Sequence, residues 1–159
     1  MSEDLFATSP EDETEAGDEK PPANNRRGAR QIALQALYWE ASDAGDAAAA
    51  VGDLGDRFDL SPKVRDFAAR LVDAVGANQG RLDELISGAA THWNQDRMAR
   101  LDSLILRLAL AEILYCDDIP VPVSIDEAIE LAKTYSTDQS YSFINGILDA
   151  IVRQQGLSL

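Results

Sequence analysis

From residue 26 onward, apolar side chains recur at intervals of three and four residues, and almost no stretch alternates with the two-residue period of a strand. That pattern restricts the chain to all-helical architectures. The stretch from about Arg26 to Ala41 sets Ile32, Leu34, Leu37 and Tyr38 among alanines. A weaker helix is expected over Asp46 to Arg57, after a turn rich in Gly, Asp and Ala. Ser61-Pro62 is a start signal: serine caps, and proline suits the first helical position, where the N–H has no partner anyway. Val64, Phe67, Ala68, Leu71, Val72 and Val75 keep helical spacing, and the pattern extends through Leu82, Leu85 and Ile86, with a bend expected near Gly76 or Gly80.

A short turn at Trp93-Asn94 precedes a helix from about Asp96 to Tyr115. Its middle is apolar nearly all round, which marks a buried central helix. Pro120 and Pro122 break the chain, and Ser124-Ile125-Asp126-Glu127 reads as a capping box opening a helix to about Tyr135. The last helix begins near Ser140 and carries Phe143, Ile144, Ile147, Leu148, Ile151 and Val152. Gly146 lies inside it, where glycine costs about 1 kcal/mol relative to alanine; close packing against another helix is one reason to tolerate it. The fold class is all-α, a domain of six to seven helices around one or two small cores.

Residues 1–25 hold eight acids and one base, Lys20, with Pro10, Pro21 and Pro22. Such a segment has too little apolar surface to fold, so 1–25 is expected to be a disordered acidic tail and 26–159 the helical domain. The chain as a whole carries a net charge of −14, which taken alone argues against nucleic-acid binding. Half of that excess lies in the tail. The acids are 18 Asp against 10 Glu, and three lysines stand against eleven arginines, a surface suited to a salt-rich cytoplasm. A single cysteine, Cys116, excludes an internal disulfide and fits a reducing compartment. The acidic start lacks the basic and apolar regions of a signal peptide, and no run is apolar for long enough to span a bilayer. A cytoplasmic protein without membrane contact is expected.

Enzyme motifs are missing: the sequence has no GxGxxG, phosphate-binding P-loop, HExxH or GxSxG. His92 is the only histidine, so a histidine-based metal site is excluded. Cys116 follows an apolar helix and reads as a small core residue. Asp117-Asp118 are adjacent, so they do not share a helix face, and they read as a solvated loop. No catalytic residue, cofactor or metal is expected. The main chemical signal is Arg26, Arg27 and Arg30 in the run RRGARQIALQALY. Cations at a helix N-terminus oppose the helix dipole, so local stability does not explain them, whereas a phosphate does. At about 100° per residue, Arg27 and Tyr38 fall within roughly 20° of each other, and Tyr38 could offer a stacking face to a base. The bland alternative is a solvated basic helix start with Tyr38 in the core. A second candidate is the turn around Tyr135, Asp138, Gln139, Ser140, Tyr141 and Phe143, which mixes aromatics with amides and hydroxyls. Its alternative is a helix cap, Asp138 or Ser140, with core aromatics.

Three ordered segments carry a resemblance: RRGARQIALQALY, WNQDRMARLDSLILRLALAEI, and IPVPVSIDEAIELAKTYSTDQSYSFINGILDAI. Together they resemble the NusB family from about Arg26 to Val152. The resemblance implies two small helical bundles, no catalysis, and transcription antitermination. It implies as partners the boxA element of nascent RNA, NusE (also a small-subunit ribosomal protein), and the antitermination complex on RNA polymerase that acts notably in ribosomal RNA operons. Carried over by motif position, Arg26, Arg27, Arg30 and Tyr38, with Tyr135, Gln139 and Phe143, would contact RNA. Asp96, Arg97 and Asp102 would contact the partner protein. Gly28 departs from the family pattern by interrupting an arginine run, and the acidic tail is an addition that could compete with RNA. Two other readings stay open: a protein-only adaptor or homodimer with an occluded RNA face, and an RNA-binding accessory to ribosomal RNA modification.

Overall fold

The computed structural model describes residues 20–92, 99–137 and 139–157. Among them are seven α-helices and no strand. They are α1 (Arg26–Ala41), α2 (Ala47–Arg57), α3 (Pro62–Ala77), α4 (Gln79–Ala89), α5 (Arg100–Tyr115), α6 (Val121–Tyr135) and α7 (Ser140–Gln154), with one 3₁₀ turn at Ala90–His92. The chain divides into two compact units, one ending at Val72 and the other beginning at Asp73.

In the first unit α1 packs along α2. Along α1, Ile32, Ala33, Leu34, Ala36, Leu37 and Tyr38 are buried. Val51 of α2 and Val64, Phe67, Ala68 and Leu71 of α3 are buried as well. Asp46 caps α2 by accepting from the Ala49 N–H, a cap worth about 1 kcal/mol.

In the second unit α5 packs against α4, α6 and α7. Leu101, Leu104, Ile105, Leu106, Leu108 and Leu110 are buried along it, so the apolar helix is central to its unit as its composition demands. α6 and α7 form an antiparallel pair and bring Leu131, Ile144, Ile147, Leu148 and Ile151 into the same core. Each such side chain contributes roughly 1.5–3 kcal/mol when fully buried. Three polar joints cross this unit. Glu112, 2% exposed, accepts from Ser124 Oγ at 2.9 Å. Arg107 pairs with Asp83 at 2.7 Å, joining α5 to α4. Asp102, 7% exposed, accepts from Ser136 Oγ at 2.7 Å and from Ser140 Oγ at 3.1 Å.

Several local expectations need correction. Ser124 does not cap a helix. α6 starts earlier, with Pro120 as N-cap and Pro122 within its first turn, where a missing N–H is harmless; Ser124 is buried and spends its proton on Glu112. The break between α3 and α4 falls at Asn78, not at either glycine, and the Asn78 side chain donates to the Ala74 carbonyl. Gly146 is exposed. The turn expected at Trp93-Asn94 and the first residues of the central helix lie outside the described residues, as does Asp138.

Candidate nucleic-acid interface

The first turn of α1 is assembled by the three residues before it. Asn25 is the N-cap and accepts from the Gly28 N–H at 3.0 Å. Asn24 accepts from the Ser61 N–H at 2.8 Å, which fastens the lead-in of α1 to the cap of α3. Ala23 folds back over the helix: a Cβ added to Gly28 would lie 1.7 Å from the Ala23 carbonyl oxygen. Gly28 is therefore required by a backbone crossing. Its interruption of the arginine run has a steric cause.

This fastening sets the amino ends of α1 and α3 beside each other around a hollow of about 630 Å³. Arg26 lines it from α1, and Lys63, Asp66, Phe67 and Arg70 line it from α3. Phe67 is 5% exposed and carries the Arg26 guanidinium 4.6 Å from its ring centroid and that of Arg30 at 5.3 Å. Such contacts contribute about 0.5–1 kcal/mol at exposed sites and more where water is excluded. They hold the two guanidinium groups at set positions.

The expected residues are placed unequally. Arg26 and Arg27 are exposed. Arg30 is only 4% exposed, and Tyr38 likewise 4%. Arg27 and Tyr38 share an angular face, but the start of the helix is open and its later turns are covered. Tyr38 thus follows the core alternative and presents no open stacking face. In the second unit Tyr135 and Phe143 are half-buried and Gln139 is exposed, flanking the turn from α6 to α7. Beside them Tyr141 is exposed and carries Lys133 Nζ 5.6 Å from its ring centroid. Asp102 is turned inward onto its two serines, so it is not the open partner contact that was expected. Asp96 and Arg97 lie outside the described residues.

The apolar spacing of α3 includes Phe67 but does not single out Lys63 and Arg70. Their spacing of four and three residues, directly after Ser61-Pro62, puts all three on one face of α3 and was the available signal. Among the described residues no cluster of His, Cys, Asp and Glu could hold a metal ion, and no helix is long and apolar enough to cross a membrane.

The NusB family model matches residues 27–153. The chain is 41% identical over 135 residues to the transcription antitermination protein NusB of Desulfosudis oleivorans, covering 83% of this chain and 88% of that one. It is 42% identical over 128 residues to that of Pelotomaculum thermopropionicum, covering 80% and 89%. Among solved structures, T. maritima NusB aligns with a TM-score of 0.74 at 36% identity, covering 82% of this chain and 92% of that one. A chain in the crystal structure of antitermination factors NusB and NusE in complex with dsRNA shares the fold, with a TM-score of 0.72 at 23% identity, covering 81% and 96%. With a family match over most of its length and relatives at this identity, the chain belongs to the NusB family.

Proposed function

We propose that this protein acts in transcription antitermination by binding the boxA element of nascent RNA together with NusE, and that it serves ribosomal RNA operons. The observation that carries the RNA reading is the cationic start of α1. In a chain of net charge −14, three arginines gather at a helix end whose dipole disfavours them. Two of them are fixed against Phe67. That arrangement fits phosphate recognition, in which arginine forks and helix N–H groups act together. In this reading Arg26 and Arg27 meet the RNA backbone, Arg30 supports them from beneath, and Tyr38 packs behind the face. Tyr135, Gln139 and Phe143 form a second contact region, with bases stacking on the half-buried rings. Asp96 and Arg97 belong to the NusE-facing surface, and Asp102 anchors its base. A chain of the same fold occurs with NusE and RNA, which supports the pairing of partners.

The test is a titration of the protein into labelled boxA RNA and a scrambled control, with and without NusE, across a salt series. About three phosphate contacts give a log–log salt slope near −2 for a single strand. Preference for boxA that NusE strengthens is the expected result. Binding of NusE without RNA at any salt would leave a protein-only adaptor. Failure to bind either would remove the functional reading.

A further inference from the structure

The hollow beside α1 has chemistry that the arginine run alone does not explain. Among the described residues its wall carries three cationic side chains, Arg26, Lys63 and Arg70, against one carboxylate, Asp66. Asp66 lowers the local positive charge without reversing it, in a chain whose net charge is −14. Lys63 sits in the first turn of α3, which holds no acidic residue, so the dipole works against it as it does against the arginines of α1. The dipole of neither helix favours the cations in its first turn. Arg65, on the same helix end, pairs with Asp56 and donates to the Leu60 carbonyl. Lys63 and Arg70 are the α3 cations that line the hollow. At about 630 Å³ it falls in the roughly 300–1,000 Å³ range of sites that hold small ligands. Arg26, which lines it, is the chain neighbour of the exposed Arg27 on the first turn of α1.

We infer that this hollow is a second phosphodiester-binding subsite, in which Lys63 and Arg70 of α3, together with Arg26, take a backbone phosphate of the RNA strand adjacent to the one held at Arg27. Phe67 is the positioning residue of the pair of helices, because it fixes the Arg26 guanidinium at the boundary between the two subsites. The inference rests on the RNA reading proposed above.

The experiment uses the full chain and a labelled single-stranded boxA RNA. Neutral methylphosphonate linkages are placed one at a time along the RNA, and binding is measured over a salt series. The variants are K63Q/R70Q, the charge-preserving K63R/R70K, and R27Q as the reference for the first subsite. K63Q/R70Q is expected to melt at the parent temperature, to bind on the order of tenfold more weakly, and to lose roughly 0.7 of salt slope for the phosphate contact removed. K63R/R70K is expected to bind like the parent. At one linkage, a methylphosphonate is expected to weaken the parent and R27Q but not K63Q/R70Q, since both changes delete the same contact. If K63Q/R70Q matches the parent in affinity, slope and linkage profile while R27Q binds weakly, the subsite is refuted and the RNA reading stands. Tighter binding by K63Q/R70Q also refutes it, by showing that the hollow holds an acidic group of the chain itself. Absence of salt-dependent RNA binding by the parent overturns the subsite and the RNA reading together.

Discussion

Gly28 sets two effects of known size against each other. Replacing glycine by alanine inside a helix gains about 1 kcal/mol from propensity, and less near the first turn. The same Cβ would meet the Ala23 carbonyl at 1.7 Å, and overpacking of that kind costs about 1–3 kcal/mol. The clash involves backbone, so it wins. Gly28→Ala is expected to lower the melting temperature and to weaken RNA binding with it, because Asn24 and Asn25 are displaced. A rise in melting temperature would show that the crossing of Ala23 is not maintained in solution. Ser124 offers a second residue-scale case. Ser124→Ala takes a donor from the buried Glu112 carboxylate, and the expected loss is about 1–3 kcal/mol by chemical denaturation. Equal stability of the variant would mean that water replaces the hydroxyl.

At the scale of elements, α1 separates stability from function. Arg27 is exposed at a helix N-terminus, where removing a positive charge relieves an unfavourable dipole interaction of about 0.3–1 kcal/mol. Arg27→Gln is therefore expected to keep or slightly raise the melting temperature while RNA affinity falls; a loss of stability would assign the arginine a structural role instead. The helices themselves were largely legible in the sequence. The bounds of α1 and α7, and the start of α3 at Ser61-Pro62, follow from local caps and apolar spacing, which need no tertiary information. What was not legible depended on partners distant in the chain. Ser124 has the local signature of a cap, but Glu112, twelve residues earlier and buried, claims its hydroxyl. Asp102 looks like a surface acid until the serines at 136 and 140 close over it. Tyr38 looks exposed beside Arg27 because periodicity reports the face of a helix and not where along its length that face is covered. Phe67 falls on the apolar spacing of its helix, but no pattern announces that two guanidinium groups lie over its ring.

At the scale of the whole molecule, net charge and local charge oppose each other. The excess of 28 acids over 14 bases makes the folded chain repel itself, and that repulsion is screened over about 10 Å at 0.1 M salt. Phosphate contacts depend on salt in the opposite sense. The melting temperature is expected to rise, and RNA affinity to fall, as salt goes from low to moderate concentration; parallel trends would show that one of the two is not electrostatic. Residues 1–19 contribute eight carboxylates and no base. A chain beginning at Lys20 keeps Ala23, Asn24 and Asn25 and loses those charges. It is expected to bind RNA more tightly at low salt, with the advantage vanishing at high salt. Identical binding at low salt would make the acidic segment a spacer or a solubility device.

The inward carboxylate of Asp102 has a consequence beyond packing. It ties the first turn of α5 to Ser136 and Ser140, which flank the turn between α6 and α7, next to Tyr135 and Gln139. On the proposed reading, a protein seated at the start of α5 would press on the same hydroxyls that hold the proposed RNA-contacting turn in shape. If either guest orders that turn, the entropy the other must overcome falls. Linkage then makes the benefit mutual: whatever factor the ribosomal protein adds to RNA affinity, RNA adds to the affinity for the ribosomal protein. In Asp102→Asn, with one acceptor oxygen fewer for the two serines, that common factor shrinks toward one while each guest still binds alone.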